Sequence, residues 1–497
     1  MKYLAVPLLA LALGACAPMD AGHPPASGLE PQALGLSDVP AAWPAAQWWR
    51  RYGDPQLDAL VDEALAGNPS MTAAQSRLDQ ANAAVGNARA VLLPRVDANY
   101  SLTRQHYSGN YIYPPPLGGS VGTDNRLALD LGYEIDLWGK NRDRLEAALS
   151  RAQAAAADAQ TARNLLAKAV VAAYVNLQDA FAQHEVLART IAQREEVVGI
   201  TRQRYGAGLD TQVEVKQAES ALAAARVDLT RTETNIALLR NQLAALAGAG
   251  PQRTAGLRPA PLGSPATEPP AAIPLDLLGR RPDIVTARWR VQAAGSEIDA
   301  AKAEFYPNVN ISAFAGLLSV STGNLLDSGS RIAGIGPAVS LPLFDAGRLN
   351  ANLAGRRAER DQAVADYNQA VLDAVQQVAD ALASIRMLGR EAVEQRQARE
   401  AIDAAYDLAV QRYRAGLGNY LTVLVAQDSV LTQARLDTEL AARAYRLDAD
   451  LATALGGGYD PASSGAHAAA AAGAGARSTA DAEQPAGPAS AADDARR

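Results

Sequence analysis

The most constraining feature of this sequence is that it repeats itself. Residues 68–248 are echoed by residues 281–456. With a shift of 208 residues, for example, the run 203–209 falls on the run 411–417. Each copy has about 180 residues, which is far longer than a solenoid repeat of roughly 20–50 residues. The chain is therefore predicted to be a duplicated half-molecule with internal pseudo-twofold symmetry.

The N-terminus has the pattern of an export signal. Lys2 is followed by an apolar stretch that ends in a Leu-Gly-Ala-Cys run, so we predict a signal peptide over residues 1–15. Cys16 resembles the lipidated cysteine of the bacterial lipobox, and residues 16–47 would form the lipid anchor and an extended linker. An ordinary signal peptide with an incidental cysteine is the alternative. No later segment approaches ~18 consecutive apolar residues, so a membrane crossing would need strands.

Composition argues against several functional classes. A net charge of −7 is the opposite of what nucleic acid requires. The chain has four histidines and one cysteine without ligand-like spacing, so neither a metal site nor a cofactor is predicted. No nucleophile–base pair or phosphate loop is present in the sequence, and we predict no enzyme activity.

Period-two alternation predicts four strands. They lie at about residues 95–104, 125–138, 308–318 and 332–344, and the glycine-rich fourth has the weakest pattern. Alternation over about ten residues is typical of barrel strands. In the second strand Asp130, Glu134 and Asp136 alternate with apolar residues, which favours a water-filled lumen on one face.

A long helical hairpin follows each strand pair. No proline occurs in residues 140–205 or 348–413, and abundant alanine favours closely packed helices. The remaining boundaries are a first repeat over 48–248 with hairpin 139–248, a Pro-rich linker over 249–273, a second repeat over 274–456 with hairpin 347–456, and a disordered tail over 457–497.

Four strands are too few for a membrane barrel. The smallest such barrel needs about eight strands, and lipid permits no open sheet edge. Several chains must then pool their strands, and three would supply twelve. Two or four subunits would also close a barrel, so the count stays open at this point.

Six motifs in order give the chain a family resemblance. They are Trp48-Trp49 with Gly53-Asp54-Pro55-Gln56-Leu57, Tyr133 to Lys140, Arg280 to Ile284, Leu341 to Arg348, and the two Arg-Tyr-x-Ala-Gly-Leu turns. From about Trp48 to Leu455 the chain resembles the TolC-type outer-membrane factors of tripartite efflux systems, in the NodT/OprM-like lipoprotein branch.

The resemblance implies an architecture and a set of partners. The fold would be mainly α with β: a homotrimer whose twelve-stranded outer-membrane β-barrel continues as a periplasmic α-helical coiled-coil barrel. It would passively conduct drugs or other small toxic compounds from a periplasmic adaptor and an inner-membrane transporter, commonly of the resistance-nodulation-division type. One alternative is a duct for polypeptides or signal molecules with an ATP-driven transporter. Another is a lipid-anchored coiled-coil spacer without a pore.

The resemblance also implies that the two hairpin tips contact the adaptor. The matching residues are Arg204, Tyr205, Gly208 and Leu209 in the first tip, and Arg412, Tyr413, Gly416 and Leu417 in the second. The two glycines suit the positive φ that closes a helix. The arginines and tyrosines would alternatively only cap and pack the turns.

The second tip departs from the family pattern. Many relatives place an aspartate ring shortly after this turn, whereas Val425 stands at that position here. We expect a constriction made by Leu421, Thr422 and Val425, in which the apolar side chains would close the pore by dewetting. The alternative is that Val425 packs inside its own hairpin.

Overall fold

The computed structural model describes residues 19, 20, 22, 24–37, 43–260, 270 and 272–460. The predicted signal peptide, Cys16 and the tail beyond Asp460 lie outside these residues. Two compact units are present, each built from several stretches of chain. The first comprises the described residues of Met1–Gly28, Leu78–Ala155 and Thr286–Tyr367, and the second comprises the described residues of Leu29–Arg77, Ala156–Val285 and Asn368–Arg497.

Helices make up most of the described chain, as the sequence predicts. They are α1 (Pro55–Gly67), α2 (Pro69–Ala90), α3 (Lys140–Gly206), α4 (Gln212–Leu246), α5 (Leu277–Arg280), α6 (Pro282–Ala303), α7 (Arg348–Arg414) and α8 (Tyr420–Ala454). Corresponding helices of the two repeats have equal lengths: 22 residues in α2 and α6, 67 in α3 and α7, and 35 in α4 and α8. Prolines begin α1, α2 and α6. At this position a residue needs no N–H, because the first N–H of a helix has no acceptor within the helix.

One antiparallel sheet lies in the first unit. Its strands are β1 (Arg95–His106), β2 (Val121–Ile135), β3 (Asn308–Ser319) and β4 (Arg331–Ser340), in that spatial order. In register, Asp97 lies opposite Asp130, Asp130 opposite Phe314, and Phe314 opposite Gly334. Directly opposed residues share a face. The sheet therefore has one face bearing the carboxylates and another bearing Leu127, Leu129 and Leu131.

Two strands have different ends from those predicted. β2 covers Val121–Ile135 rather than 125–138, because the Asp136 carboxylate leaves the ladder and accepts the N–H groups of Asn141 (3.2 Å) and Arg142 (2.9 Å) at the start of α3. β4 ends at Ser340 rather than 344. Pro342 follows and has no N–H to donate to a ladder. Alternation alone does not reveal such helix caps.

The main core lies in the second unit. Trp48 and Trp49 are both buried, with ring centroids 5.8 Å apart in an edge-to-face arrangement, and they pack with Leu57 and Leu60 of α1. Truncating a buried tryptophan to alanine costs about 3–5 kcal/mol. These tryptophans are therefore packing residues of this core.

Within the described residues, α3 contains the single 18-residue window apolar enough to cross a membrane by length and composition. Its mean hydropathy is 1.2, and 56% of it is buried inside the chain. The same helix supplies Leu166, Val170 and Leu177 to the main core. We attribute the apolar character of α3 to packing against its neighbours.

The second unit continues beyond the predicted end of the second repeat. Gly456, Gly457 and Gly458 all have positive φ and end α8 in a tight turn. A Cβ on Gly456 would stand 2.0 Å from the Arg280 carbonyl oxygen, so any side chain would clash there and only glycine fits. Tyr459 is buried, whereas a disordered tail was expected from residue 457.

Candidate functional site: the two hairpin tips

The two tips lie in the second unit and share one backbone turn. Gly208 has φ 69° and Gly416 has φ 76°, in the left-handed region that glycine tolerates. In the first tip the Leu209 N–H donates to the Arg204 carbonyl (2.9 Å), and in the second Leu417 donates to Arg412 (2.9 Å). This bond from beyond the glycine back into the last helical turn is a Schellman-type cap.

The returning helices are capped differently. Thr211 is the N-cap of α4 and forms a capping box: its hydroxyl accepts the Val213 N–H (3.1 Å), and Glu214 accepts the Thr211 N–H (2.8 Å). Asn419 is the N-cap of α8, and its amide oxygen accepts the Thr422 N–H (3.0 Å) and hydroxyl (2.8 Å). Thr422, predicted to belong to the gate, is thus engaged in capping its own helix.

A buried cluster joins the first tip to the second. The Arg204 guanidinium bonds the Asp210 carboxylate (2.9 Å) and donates to the Tyr413 carbonyl (2.9 Å). The Tyr413 hydroxyl donates to Asp210 and lies 3.1 Å from the Thr201 hydroxyl. Because its four members come from both hairpins, we call Arg204, Asp210, Tyr413 and Thr201 the tip clasp.

Burial, hydrogen bonds and charge shift the pKa values of two residues of the tip clasp. Burial raises the pKa of Asp210, but the hydrogen bonds from Arg204 and Tyr413 outweigh it, and the pKa lies below its usual range. Burial, with the adjacent Asp210 carboxylate, raises the pKa of Tyr413 to about 12. At neutral pH the clasp therefore holds an ionised aspartate and a neutral tyrosine.

The clasp divides the predicted adaptor-contact residues into two groups. Tyr413 is 0% exposed and Arg204 is mostly buried, so both pack the turns, which is the alternative that the sequence left open. Tyr205, the repeat equivalent of Tyr413, is 49% exposed. The other accessible positions of the set are Gly208, Leu209, Arg412, Gly416 and Leu417.

Sequence reasoning missed Asp210, although the repeat carries a signal for it. With the shift of 208 residues, Asp210 corresponds to Gly418. The second tip therefore has no carboxylate equivalent to Asp210, the residue that accepts the hydrogen bond of the Tyr413 hydroxyl. This difference between the repeats accompanies the unequal burial of the two tyrosines.

The predicted gate residues lie on the first turns of α8. Leu421 and Val425 are exposed and four positions apart, so they share one side of the helix. Val425 is 58% exposed in the single chain and therefore does not pack inside its own hairpin. Which surface these side chains face in an assembly stays a prediction.

A groove runs between α4 and α8 behind the tips. Its volume is about 990 Å³, and its lining mixes polar, small and aliphatic side chains that include Lys216, Gln217, Ser220, Ala224, Leu424 and Asp428. Arg194 lies beside it, nearly buried, and pairs with Asp428 at 2.6 Å. Among the described residues no group of three His, Cys, Asp or Glu side chains is placed to hold a metal ion.

Comparison with known families identifies the class. The chain matches the outer membrane efflux protein family over residues 60–249 and 273–457. It belongs to that family, and the TolC-type resemblance seen in the sequence is confirmed. The mainly helical fold with a four-stranded sheet is confirmed as well.

Individual relatives narrow the comparison. The chain is 41% identical to the fusaric acid resistance protein FusA of Burkholderia cepacia over 71% of this chain and 69% of that one. It is 33% identical to the multidrug resistance outer membrane protein MdtP of Escherichia coli K12, over 90% and 94%. Its fold is similar to that of the outer membrane protein VceC of Vibrio cholerae, with a TM-score of 0.78 and 36% identity over 84% of this chain and all of that one.

Proposed function

We propose that the protein is the outer-membrane channel of a tripartite efflux pump. It would passively conduct drugs or other small toxic compounds from a periplasmic adaptor and an inner-membrane transporter to the exterior. The relatives named for multidrug and fusaric acid resistance support efflux over secretion of polypeptides or signal molecules. The observation that carries the proposal is the two-faced sheet, polar on one side and apolar on the other, in a chain of this family.

The working form would be a homotrimer anchored in the outer membrane. Within the described sheet, β1 and β4 each pair on one side only, so two edges remain for strands of other chains. Lipid tolerates no such edge. Three sheets would close a twelve-stranded barrel with the carboxylate face toward the lumen, and the hairpins would continue it as a helical tunnel in the periplasm. Lipidation at Cys16 would add the anchor.

The adaptor would contact the exposed part of each tip. Leu209 and Leu417 occupy equivalent positions in the two turns and are both exposed. Exposed leucines beside glycines offer small apolar knobs onto which a helical hairpin of the adaptor can pack. Arg204 and Tyr413 would support these surfaces from beneath instead of making the contact. Three chains would present six such knobs, and the inner-membrane transporter, of the resistance-nodulation-division type, would connect through the adaptor.

The gate would lie at the start of α8. Leu421 and Val425 present adjacent aliphatic side chains, and narrow apolar constrictions can close by dewetting. No aspartate stands at the Val425 position to bind cations there.

The adaptor surface is tested by placing charge on the two equivalent leucines. The double variant Leu209→Asp/Leu417→Asp should assemble as a heat-modifiable trimer, lose cross-linking to the adaptor, and fail to restore drug resistance to a deletion strain. Gln203→Asp/Gln411→Asp is the matched control, because it adds the same charges to the same tips at exposed polar positions. Normal adaptor cross-linking and full resistance in the leucine variant would overturn the proposed docking surface.

The membrane assignment is tested separately. Purified protein should conduct ions across a planar lipid bilayer, and labelled palmitate should be incorporated in the wild type and not in Cys16→Ser. Absence of any conductance from a folded trimer would contradict the channel. Labelling of the Cys16→Ser variant would contradict only the anchor.

A further inference from the structure

We infer that Asp124 sets the charge preference of the channel at the loop end of its sheet. The inference rests on the proposed function, because it requires the carboxylate face of the sheet to line a lumen. It concerns a position far in sequence from the tips and from the gate residues.

The carboxylate face of the sheet is nearly neutral through local pairing. Asp97 pairs with Arg95 at 2.7 Å, and Asp130 pairs with Arg126 four residues away on β2. Glu134 pairs with Lys140 at the first position of α3. At their positions on this face, β3 and β4 carry no ionisable side chain. Three of the four carboxylates are thus compensated by a cation.

Asp124 is the fourth carboxylate, and its partners are neutral. It lies opposite Thr103 on β1, and its oxygens accept hydrogen bonds from the Gln105 amide and the Tyr107 hydroxyl. Within the described residues Asp124 forms no ion pair with a cationic group. Neutral donors carry no charge that could compensate the carboxylate. The net charge of this face therefore comes from Asp124.

The surroundings fix Asp124 in position. Tyr107 is 2% exposed, and its ring packs against Tyr113 at 5.0 Å. A Cβ on Gly122 would stand 2.5 Å from the Tyr107 ring, so the glycine makes room for the tyrosine that holds the carboxylate. The Asp124 side chain is therefore held in place by a packed aromatic cluster.

The role that we infer for Asp124 follows from its position along β2. Asp124 is the fourth residue of β2, next to the connection 107–120, whereas the other end of β2 leads into α3. In a trimeric barrel three copies would lie near the outer mouth. Carboxylates around a pore favour cations and disfavour anions. Anionic compounds leaving the channel would meet this charge last.

The test is ion selectivity in a planar bilayer under a potassium chloride gradient. The wild type should prefer potassium, and Asp124→Asn should lower the potassium-to-chloride permeability ratio by roughly twofold, the effect of three screened charges in a wide aqueous pore. Asparagine keeps an acceptor for Tyr107 and Gln105. Asp124→Glu should restore the wild-type ratio.

A charge-neutral control separates this inference from the proposed channel. The double variant Arg126→Gln/Asp130→Asn removes a compensated pair from the same face and should leave the ratio unchanged. Conductance with the same ratio in wild type and Asp124→Asn would overturn the role of Asp124 alone. No conductance in the wild type would overturn the channel itself.

Discussion

The guanidinium carbon of Arg204 lies 4.5 Å from the ring centroid of Tyr413. Arg204 lies in the last turn of α3, in the hairpin of the first repeat, and Tyr413 lies in the last turn of α7, in the hairpin of the second. A cation over an aromatic face is stabilised by the quadrupole of the ring, more strongly where water is excluded. The tip clasp therefore ties the two hairpins of one chain together at their turns.

The two tyrosines of the turns should respond differently to loss of their hydroxyl groups. Tyr413→Phe removes hydrogen bonds to Asp210 and Thr201 in a buried cluster and should lower the free energy of unfolding by about 1–3 kcal/mol. Tyr205→Phe, at the exposed equivalent position, should change it by less than about 0.5 kcal/mol. Denaturant unfolding of the purified protein measures both. Equal effects of the two substitutions would contradict the unequal burial.

Acid should release the tip clasp. Because the pKa of Asp210 is lower in the folded chain than in the unfolded chain, its ionised form adds stability that is fully present above the ordinary value of about 4 and is lost as the pH falls through the folded value. Pepsin cleavage at the tips, normalised to an unstructured peptide, should therefore rise steeply below about pH 4. Asp210→Asn should be cleaved faster at every pH, without this extra acid step. An identical acid step in the variant would assign it to other carboxylates.

The gate can be tested by restoring the missing carboxylate. Val425→Asp should make the conductance sensitive to added magnesium, because the proposed trimer would then place three carboxylates at its proposed constriction, where they would bind divalent cations. Gln217→Asp is the control, since Gln217 is the repeat equivalent of Val425 and lines the groove between α4 and α8. Magnesium should leave this control unaffected. A wild-type response in Val425→Asp would count against a lumen-facing position.

Periodicity predicted the elements of this fold because local patterns decide them. The four alternating segments are strands, and the long proline-free tracts are helices of 67 residues. Their ends were less predictable. The Asp136 side chain leaves β2 to cap α3, a choice between ladder and helix that depends on geometry and not on alternation.

The functional site was less predictable than the fold, because the two tips share a sequence motif but make different contacts. Tyr205 and Tyr413 follow an arginine in the same motif, yet one is exposed and the other is fully buried. The difference depends on contacts between hairpins, with Asp210 in one turn and Gly418 in the other. A pattern read within one hairpin contains no information about such a contact.

The N-terminal segment that precedes the repeats lies along α7. The N–H groups of Asp20 and Ala26 donate to the side chains of Asn350 (3.1 Å) and Asp361 (3.0 Å), and Leu29 donates to Asn368 (3.0 Å). These three acceptors are spaced by 11 and 7 residues, close to three and two helical turns, so they lie on one face of α7. Three backbone N–H groups of this segment are thus bonded to side chains of a single helix.

Loss of these acceptors should release the N-terminal segment. Each bond contributes about 0.5–1.5 kcal/mol, so the triple variant Asn350→Ala/Asp361→Ala/Asn368→Ala should raise amide exchange in a peptide covering residues 20–29 by an order of magnitude or more, measured by mass spectrometry. Asp366→Ala, at an exposed carboxylate on the same helix, is the matched control and should leave the exchange unchanged. Unchanged exchange in the triple variant would show that these bonds do not hold the segment.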